Sequence, residues 1–543
     1  MTVSQNEVFK KILGGIPYTA ELYWLIRQKD QPTKTRFSFK SLQENLPQLV
    51  AQAKRLQKTN PKGKKVFIFA SLHYWIEQAT VTALGLATEG HKVTLGYLPY
   101  FDWFTDQNRF DLRRQNSYTR AFLKQTEPLI QPISFLSHRS QFTILPEEIK
   151  DAVTEVTVYD TQYTLQLEDV DPNHEVYKFR YERNMDSATA VFAYLKANRP
   201  DVVIVPNGTI LEFGVVYRIA KYLNIPVTTY EFNDQRGFFW IGQNEQIMCQ
   251  NTDKMWEVGR HHALTAEQEK RIQNLFQTRR QAKVVDSFTR TWQAKPAQGS
   301  EAIRKKLKLD DRPIVLLPTN VLGDSLTLGR QVFSKTMAEW VIRTVQYFFG
   351  RPDTQLVIRI HPGEILTRQY SMVDLLHEAL PELPENIHII GPREEINSYD
   401  LVDLASLGLV YTTTIGLEMA LKGIPVVVAG QTHYRNRGFT YDPDSWVEYF
   451  KELGLILAKP SSFRLTKEKI KKAWQYSYLF FYVYPQPYPW HIKARGNYSD
   501  VPINKVFNAE GRKLYGDTFR YLVGEPINWK KKCGVTSKQK YAI

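Results

Sequence analysis

Three consecutive threonines separate an apolar run from a helical pattern in the second half of the sequence. Thr412, Thr413 and Thr414 follow Leu409–Tyr411, and a helix that contains Gly416 is expected to begin near Ile415. The first turn of a helix offers free N–H groups and a partial positive charge. One threonine at this place is explained as a helix cap, but three are not. The pattern predicts a phosphate site, with Gly416 letting the anion approach the backbone.

Glu418 lies one turn into the same predicted helix. One interpretation is an ion pair with Lys422, four residues later, on the solvent side of the helix. The other is that its carboxylate accepts hydrogen bonds from a ribose diol. The residues alone leave both interpretations open. Gly423 and Pro425 then end the helix and begin the buried strand VVVAG.

A histidine and an arginine end another apolar run, QLVIRI. His361 is followed by Pro362, which holds the preceding backbone extended, and Arg359 lies two residues earlier on the same face. Imidazole and guanidinium groups both donate to phosphate oxygens, and Glu364 is close enough to be a further candidate. The alternative for His361 is an exposed side chain at a strand end.

Two further loops follow predicted strands and are rich in polar residues. Pro318–Ser325 contains Thr319 and Asn320, and it either cradles a diphosphate or simply forms a turn. Thr432–Thr440 follows VVVAG and is either a surface loop or an electropositive lid over the phosphate. The predicted contacts of that lid are His433, Arg435 and Arg437.

A carboxylate at a strand end in the first half is the candidate catalytic base. Glu231 ends PVTTYEF, and the turn Asn207-Gly208 ends DVVIVP. We predict Glu231 and His361 as the catalytic residues. The sequence Asp442-Pro443-Asp444 imitates a metal-binding Asp-x-Asp, but its position before the pattern SWVEYFKEL fits a turn and helix cap better. We therefore predict no metal ion and no cofactor.

Two series of alternating strand and helix patterns must position these residues. The expected strands of the first series are Lys65–Leu72, Lys92–Leu98, Asp201–Pro206 and Pro226–Phe232, and those of the second are Pro313–Pro318, Gln355–Ile360, Ile387–Ile390, Leu409–Tyr411 and the VVVAG run. Short strands that alternate with helices form parallel sheets. The prediction is an α/β fold with two Rossmann-like domains that face each other across a cleft.

The predicted domain boundaries follow from these series. Residues 1–250 form an N-terminal domain with a helical insertion at about 101–200, residues 251–305 a helical connector, residues 306–485 the C-terminal domain, and residues 486–543 an aromatic and basic tail. The turn after Lys65–Leu72 has no glycine fingerprint, which disfavours a dinucleotide-dependent dehydrogenase.

Composition restricts the partners and the compartment. The chain has 543 residues, a formal charge of +15 and two cysteines. The charge predicts an anionic partner, and two cysteines cannot build a disulfide framework. The N-terminus lacks the apolar core of a signal peptide, and no apolar run reaches the length of a membrane span. We expect a cytoplasmic protein. Lys530–Lys532 is either a solvated tail or a peripheral contact with anionic lipid at the inner face of the membrane.

Three segments of the second domain resemble a known family. RIHPGE, TTTIGLEMALKGIPVVVAG and THYRNRGFTYDP, in this order and spacing between Arg359 and Tyr449, are similar to the bacterial capsule polysaccharide biosynthesis glycosyltransferases. The resemblance implies a GT-B type enzyme whose C-terminal domain binds a nucleotide-sugar donor and whose N-terminal domain binds a saccharide or lipid-linked acceptor. It also implies that four residues surround the donor nucleotide, namely His361, Thr413, Thr414 and Glu418.

Three functions compete at this point. The first is a metal-independent glycosyltransferase that transfers a sugar to a surface polysaccharide or glycolipid. The second is a nucleotide-sugar epimerase of the same fold, because one fold supports several reactions. The third is a non-catalytic protein that binds polyanions through its positive charge. The sequence contains no nucleic-acid motif, so nucleic acid is not expected as a partner.

Overall fold

The structure is a computed structural model that describes residues 5–27, 37–58, 62–137, 143–233, 235, 237–281, 296–366, 370–488 and 506–534. The chain forms two compact units. The first unit contains Met1–Asp160, Asp171–Met248 and Gln486–Ile527. The second contains Thr161–Val170, Cys249–Pro485 and Asn528–Ile543. Each unit is therefore built from more than one stretch of the chain.

Each unit has its own β-sheet. The strands are β1 (Lys65–Ser71), β2 (Lys92–Leu98), β3 (Ile130–Ser134), β4 (Val202–Pro206), β5 (Val227–Phe232), β6 (Phe238–Gln243), β7 (Ile314–Pro318), β8 (Gln355–Arg359), β9 (Ile387–Ile390), β10 (Leu407–Val410), β11 (Val426–Val428) and β12 (Gln486–Pro487).

The helices of the described residues lie before, between and after these strands. They are α1 (Gln5–Gly15), α2 (Thr19–Arg27), α3 (Lys40–Gln43), α4 (Leu46–Leu56), α5 (His73–Thr88), α6 (Arg109–Lys124), α7 (Glu147–Leu165), α8 (Glu175–Asn198), α9 (Leu211–Tyr222), α10 (Asp253–Gly259), α11 (Ala266–Arg280), α12 (Ser300–Lys306), α13 (Met337–Phe349), α14 (Met372–Ala379), α15 (Ser398–Leu404), α16 (Ile415–Leu421), α17 (Trp446–Ala458), α18 (Lys467–Tyr478), α19 (Ala509–Leu522) and α20 (Trp529–Lys532).

The sheet of the first unit has the order β12-β6-β5-β4-β1-β2-β3. Strands β1 to β5 pair in parallel, whereas β6 and β12 are antiparallel and lie at one edge. The chain runs from β1 outward through β2 to β3, and then returns to β4 on the other side of β1. The strand order therefore reverses between β1 and β4, which is the switch point of this sheet.

The sheet of the second unit has the order β11-β10-β7-β8-β9, and all its strands are parallel. The aliphatic runs of β7 and β11 are buried along their whole length, as expected for parallel strands covered on both faces. Trp340 and Phe348 of α13 pack into the same core. The strand order reverses between β7 and β10, so the switch point lies there.

A carboxylate from a distant part of the chain caps α13. Glu168 accepts hydrogen bonds from the Met337 and Ala338 N–H groups at 2.8 and 2.7 Å, and Thr336 Oγ1 accepts from the Glu339 N–H. These bonds satisfy donors that the first turn of a helix cannot satisfy itself. Residues 161–170 are thus an integral part of the second unit.

The predicted α/β fold class with a Rossmann-like sheet in each unit is confirmed. The second sheet is wholly parallel, and the first is parallel from β1 to β5 with antiparallel pairs at β6 and β12. Residues 101–200 are mostly helical, as expected, but β3 also belongs to this range and extends the first sheet. Helices α10, α11 and α12, which the structure describes in the predicted connector region, group with the second unit, and α19 groups with the first. None of the helices in the described ranges is long and apolar enough to cross a bilayer.

Candidate functional site

Four of the predicted residues of the second unit lie at its switch point or one strand away from it. Thr319 and Asn320 follow β7, His361 follows β8, and Thr412 follows β10. Thr319 Oγ1 accepts a hydrogen bond from the His361 N–H at 3.0 Å, and Asn320 Oδ1 accepts from the Thr412 N–H at 3.3 Å. The structure therefore brings these four residues together at the carboxyl ends of adjacent strands, where open α/β sheets bind ligands.

The imidazole of His361 has a defined tautomer when it is neutral. Its Nδ1 accepts a hydrogen bond from the Gly363 N–H at 3.0 Å, within the short 3-10 helix Pro362–Leu366. Since Nδ1 is the acceptor, the proton of the neutral ring lies on Nε2. The half-buried ring thus has the donor that contact with a phosphate oxygen requires.

Two of the three threonines have hydroxyl groups that do not cap the helix. Thr412 is buried, and among the described residues its Oγ1 has no hydrogen-bond partner. Thr414 is the N-cap residue of α16, yet its side chain makes no capping bond. The helix-cap explanation therefore does not account for these hydroxyl groups. A buried hydroxyl without a partner is rare in a folded protein and is expected where a ligand supplies the missing bond.

Gly416 is required by its neighbour Tyr434. A Cβ atom at Gly416 would collide with the Tyr434 hydroxyl group and would approach Val410 closely. That hydroxyl donates to the Thr413 carbonyl at 2.6 Å, and burial raises the pKa of Tyr434. The glycine thus permits a hydrogen bond that holds the threonine loop. The predicted close approach of an anion to Gly416 remains a prediction.

Glu418 is buried and forms an ion pair that neither interpretation of the sequence included. Its Oε1 lies 3.2 Å from Arg279 Nη1 of α11. The first of the two interpretations, a pair with Lys422, is wrong, because Lys422 pairs with Asp403 instead. Glu418 faces inward and Lys422 lies at the end of α16, nearer the solvent. Contact of Glu418 with a ribose remains a prediction.

Arg359 is bonded to the loop that follows β9. Its guanidinium donates to the carbonyl groups of Gly391 at 2.5 Å, Ile396 at 3.2 Å and Glu394 at 3.4 Å. Burial lowers the pKa of Arg359 to about 10. The side chain therefore fixes the conformation of this loop. Its contact with phosphate remains a prediction.

His433 lies inside the second unit and carries no charge. Its ring stacks on Phe480 at 3.7 Å between ring centroids, and its Nδ1 lies 2.9 Å from the Tyr476 hydroxyl oxygen. Burial lowers the pKa of His433 far below its usual value. A neutral, buried imidazole contributes no positive potential to a lid, so the structural surroundings favour a packing role.

The two arginines of the same loop bind protein groups. Arg435 donates to the carbonyl groups of Val428 at 2.8 Å and Pro443 at 2.5 Å, and it pairs with Asp444. Arg437 pairs with Asp253 at 2.6 Å. These bonds fix the loop after β11 to its surroundings. The predicted phosphate contacts of both arginines remain predictions.

The Asp-x-Asp segment leads into α17, but neither aspartate is the helix cap that the sequence predicted. Asp442 accepts hydrogen bonds from the Thr440 hydroxyl and from the Asn436 N–H, and the N-cap of α17 is Ser445. Within the described ranges, no three His, Cys, Asp or Glu side chains are arranged to hold a metal ion. Metal independence itself remains a prediction.

In the first unit, Asn207 and Glu231 are in direct contact. Asn207 Nδ2 donates to Glu231 Oε2 at 3.0 Å, and the Phe232 N–H donates to Oε1 at the same distance. Burial raises the pKa of Glu231 to about 7. A carboxyl group with this pKa exchanges protons readily at neutral pH, which is the property of a general base.

Sequence reasoning missed a buried ionic network beside this pair. Ser71, at the end of β1, donates to Glu212 Oε2 at 2.7 Å, and Arg180 bridges Glu212 at 2.9 Å and Asp160 at 3.0 Å. Burial alone would raise the pKa of Glu212, but Arg180 and Arg183 outweigh it and lower that pKa. Glu212 is the second residue of α9, shortly after the Asn207-Gly208 turn. This position near a strand end is the one feature of the sequence that could have pointed to the network.

Glu364 was named from the sequence only as a further candidate. Its Oε2 accepts from the Met372 N–H at 3.0 Å, and Oε1 has no partner among the described residues. Burial raises the pKa of Glu364 to about 7. Since its N–H donates to the His361 carbonyl, this carboxyl group belongs to the same turn as the imidazole.

Residues 245–451 match the family described as "Capsule polysaccharide biosynthesis protein". The matched range contains Thr319, His361, Thr412 and the loop after β11, and it lies almost entirely in the second unit. The resemblance deduced from the sequence motifs is therefore confirmed for this part of the chain. A search of curated proteins finds no match.

Comparison with solved structures finds similarity to two transferases and an epimerase, among others. The beta Kdo 2,4 transferase KpsC of Thermosulfurimonas dismutans is 16% identical over 60% of this chain and 87% of its own, with a TM-score of 0.35. The beta Kdo 2,7 transferase KpsC of the same organism is 16% identical over 58% and 90%, with a TM-score of 0.32. The UDP-GlcNAc 2-epimerase of Neisseria meningitidis is 14% identical over 76% and 97%, with a TM-score of 0.23.

Proposed function

We propose that this chain, whose second unit carries the capsule polysaccharide biosynthesis match, is a metal-independent glycosyltransferase. It takes a sugar from a nucleotide-sugar donor and transfers it to a saccharide or lipid-linked acceptor of a surface polysaccharide. The observation that supports donor binding in the second unit is the buried hydroxyl of Thr412 at the switch point, which has no partner among the described residues. The Thr412 backbone is bonded to Asn320, and the neighbouring Thr319 is bonded to the backbone of His361. The ligand best suited to these donors is a phosphate group.

The second unit has the groups needed to stabilise a departing nucleotide. In the proposed reaction the bond between the anomeric carbon and the phosphate oxygen breaks, and its electron pair stays on that oxygen. The hydroxyl groups of Thr412, Thr413 and Thr414 and the Nε2–H of His361 donate to the growing negative charge. Preorganised donors of this kind are usually the largest single contribution to catalysis.

Glu231 is the proposed base for the acceptor. The acceptor hydroxyl oxygen forms the new bond to the anomeric carbon, and its proton passes to the Glu231 carboxylate. The pKa of about 7 keeps this carboxyl group partly ionised at neutral pH while leaving it basic enough to take a proton. Asn207 fixes the orientation of the carboxylate through its 3.0 Å bond.

The test is incubation with a panel of uridine, guanosine and cytidine nucleotide sugars, followed by mass spectrometry. Released nucleotide together with a glycosylated acceptor supports the proposal. A product that stays nucleotide-linked indicates the epimerase reaction instead. If no donor is turned over and none binds, the proposal is wrong. Salt-sensitive binding to polyanions without nucleotide preference indicates the non-catalytic alternative.

A further inference from the structure

The N-terminal helices α1 and α2 expose an unusual amount of apolar surface. About half of the large hydrophobic side chains that are exposed in the described residues lie between Val8 and Ile26. Phe9 is 62% exposed, Ile12 61%, Tyr18 79% and Ile26 68%. Single exposed hydrophobic residues are ordinary on a protein surface, but a group of this size marks a contact surface.

The exposed side chains form one face of a helical hairpin. Val8, Ile12 and Ile16 recur every four residues along α1 and just beyond its end, and Leu22 and Ile26 have the same spacing on α2. Residues four apart lie on the same side of a helix. Each helix therefore presents an apolar stripe away from the body of the first unit.

The opposite face of the hairpin is anchored by polar bonds to α6. Arg113 donates to the carbonyl groups of Gly14 at 3.1 Å and Ile16 at 2.7 Å, and also to Glu21 at 2.9 Å. Lys10 pairs with Asp111 at 2.8 Å. Charged side chains thus hold the hairpin to the protein, whereas most of its large apolar side chains face outward, which departs from the usual pattern of a surface helix.

Two small residues of the hairpin, Gly14 and Ala20, face the protein. Gly14 and Ala20 are buried, and a Cβ at Gly14 would lie 2.8 Å from the Phe110 backbone nitrogen. The hairpin therefore packs against α6 through these small residues and through Trp24, which is also buried. The apolar stripe is not needed for this packing, so it is available for an external partner.

Cations flank the apolar stripe. Lys11 lies beside Ile12, Arg27 follows Ile26, and Arg109 is exposed at the start of α6 next to Gly14. Of the hairpin side chains that the structure describes, Glu21 is the acidic one, and Arg113 pairs with it. Exposed apolar residues bordered by lysine and arginine are the pattern of helices that lie in the surface of an anionic bilayer.

A second copy of the chain fits this surface less well. A symmetric dimer brings the same patch of both copies together, so every charge on the patch must find its counter-charge within that same patch. Among the described hairpin side chains the patch has Lys11 and Arg27 but no unpaired acid, so a second copy supplies no carboxylate for these cations. Anionic lipid head groups supply that neutralisation.

We propose that the α1–α2 hairpin is a membrane-docking surface that inserts its apolar face into an anionic phospholipid bilayer. Phe9, Ile12, Tyr18 and Ile26 enter the boundary between head groups and acyl chains, while Lys11 and Arg27 contact the phosphates. This docking is independent of the proposed transferase reaction, since it involves no donor or acceptor group.

The experiment is flotation of the full chain with lipid vesicles in a sucrose gradient. We expect the protein to float with vesicles of phosphatidylglycerol and phosphatidylcholine, and several-fold less with phosphatidylcholine alone. The triple substitution Phe9→Gln, Ile12→Gln, Ile26→Gln should reduce the floating fraction at least tenfold. The matched control, Val447→Gln with Leu455→Gln, changes exposed apolar residues of α17 and should float as the unaltered protein does.

Other outcomes overturn the proposal or identify a different partner. If the triple variant floats normally, the hairpin is not the docking surface. If the unaltered protein does not float but forms a dimer that the triple substitution dissociates, the partner is a second copy. The double substitution Lys11→Glu, Arg27→Glu preserves the apolar stripe and should abolish only the preference for anionic lipid, which keeps the test decisive if the triple variant folds poorly.

Discussion

Asn320 Oδ1 accepts a hydrogen bond from the Thr412 N–H at 3.3 Å, across the switch point of the second sheet. The bond fixes the backbone of the residue whose hydroxyl lacks a partner among the described residues. Thr319 makes the corresponding bond to the backbone of His361. The two polar residues after β7 therefore position the two groups that we expect to touch the donor phosphate.

Replacing Thr412 with valine should weaken donor binding without weakening the fold. The hydroxyl makes no bond to a described residue, so the isosteric change loses little in the free protein. A hydrogen bond to a charged phosphate contributes about 1.5–3 kcal/mol, which predicts roughly a tenfold or larger increase in Kd for the donor. Titration calorimetry and thermal melting measure the two quantities.

The control for this experiment is Thr354→Val. Its hydroxyl is also buried and without a partner among the described residues, but it precedes β8 at the opposite end of the same sheet. It should leave both the donor Kd and the melting temperature unchanged. Equal donor affinity in Thr412→Val and the unaltered protein would contradict the phosphate assignment.

His361 should act through Nε2 and not through Nδ1. The substitution His361→Asn keeps an acceptor near the Gly363 N–H but removes the Nε2 donor, whereas His361→Gln places an amide donor near the Nε2 position. We expect His361→Asn to lose donor affinity and turnover as fully as His361→Ala, and His361→Gln to retain part of both. Full activity in His361→Asn would show that the ring serves only the turn.

Glu231→Gln should lower kcat far more than it changes the KM for the donor. In the unaltered protein the carboxylate is the active form, so kcat should fall as pH decreases below about 7, and this limb should disappear in the variant. The pKa of Glu231 is about 7 in the folded protein and 4.5 in the unfolded chain. The free energy of unfolding should therefore decrease as pH rises from 4.5 to about 7, because the unfolded chain ionises first.

A stability measurement provides the independent check on Glu231. Because glutamine resembles the neutral carboxyl group, the melting temperature of Glu231→Gln relative to the unaltered protein should increase between pH 5 and pH 8. A kcat that is unaffected at every pH would remove Glu231 from the reaction. A difference in melting temperature that does not vary with pH would contradict the raised pKa.

The elements that the sequence predicted well are those with a strong local pattern. Aliphatic runs bounded by glycine and proline located β1, β7 and β11 to within about two residues, because such runs form buried parallel strands in almost any context. Strand β3 was missed because its sequence, Ile130–Ser134, contains a proline and a glutamine in an otherwise charged region. Its position at the edge of the sheet explains why they are tolerated.

In the candidate site, too, the features set by local sequence patterns were predicted and the contacts with distant residues were not. Strand order places Thr319, His361 and Thr412 together, and this follows from the alternating pattern. The partner of Glu418 is Arg279, which is 139 residues away, and no local rule selects it over Lys422. The tyrosine that requires Gly416 is likewise outside its helix, so the sequence suggested an anion instead.

Breaking the buried network of the first unit should be costly. Arg180→Met leaves Asp160 and Glu212 as buried carboxyl groups without their cation, which predicts a loss of about 3–5 kcal/mol in the free energy of unfolding. The matched control is Arg218→Met, whose partner Glu155 is largely exposed, and it should cost less than about 1 kcal/mol. Urea denaturation measures both, and equal losses would mean that the network contributes nothing beyond a surface pair.

Gly416→Ala distinguishes packing from anion approach. In an unobstructed helix this change stabilises by about 1 kcal/mol, but the added Cβ collides with the Tyr434 hydroxyl, so we expect a net loss of about 1–3 kcal/mol. Adding Tyr434→Phe removes the colliding oxygen and should recover much of that loss in the double variant, relative to Tyr434→Phe alone. Denaturation of the four proteins gives the coupling energy between the two positions. If Gly416→Ala is stable yet cannot bind the donor, the anion explanation is correct and the packing explanation is wrong.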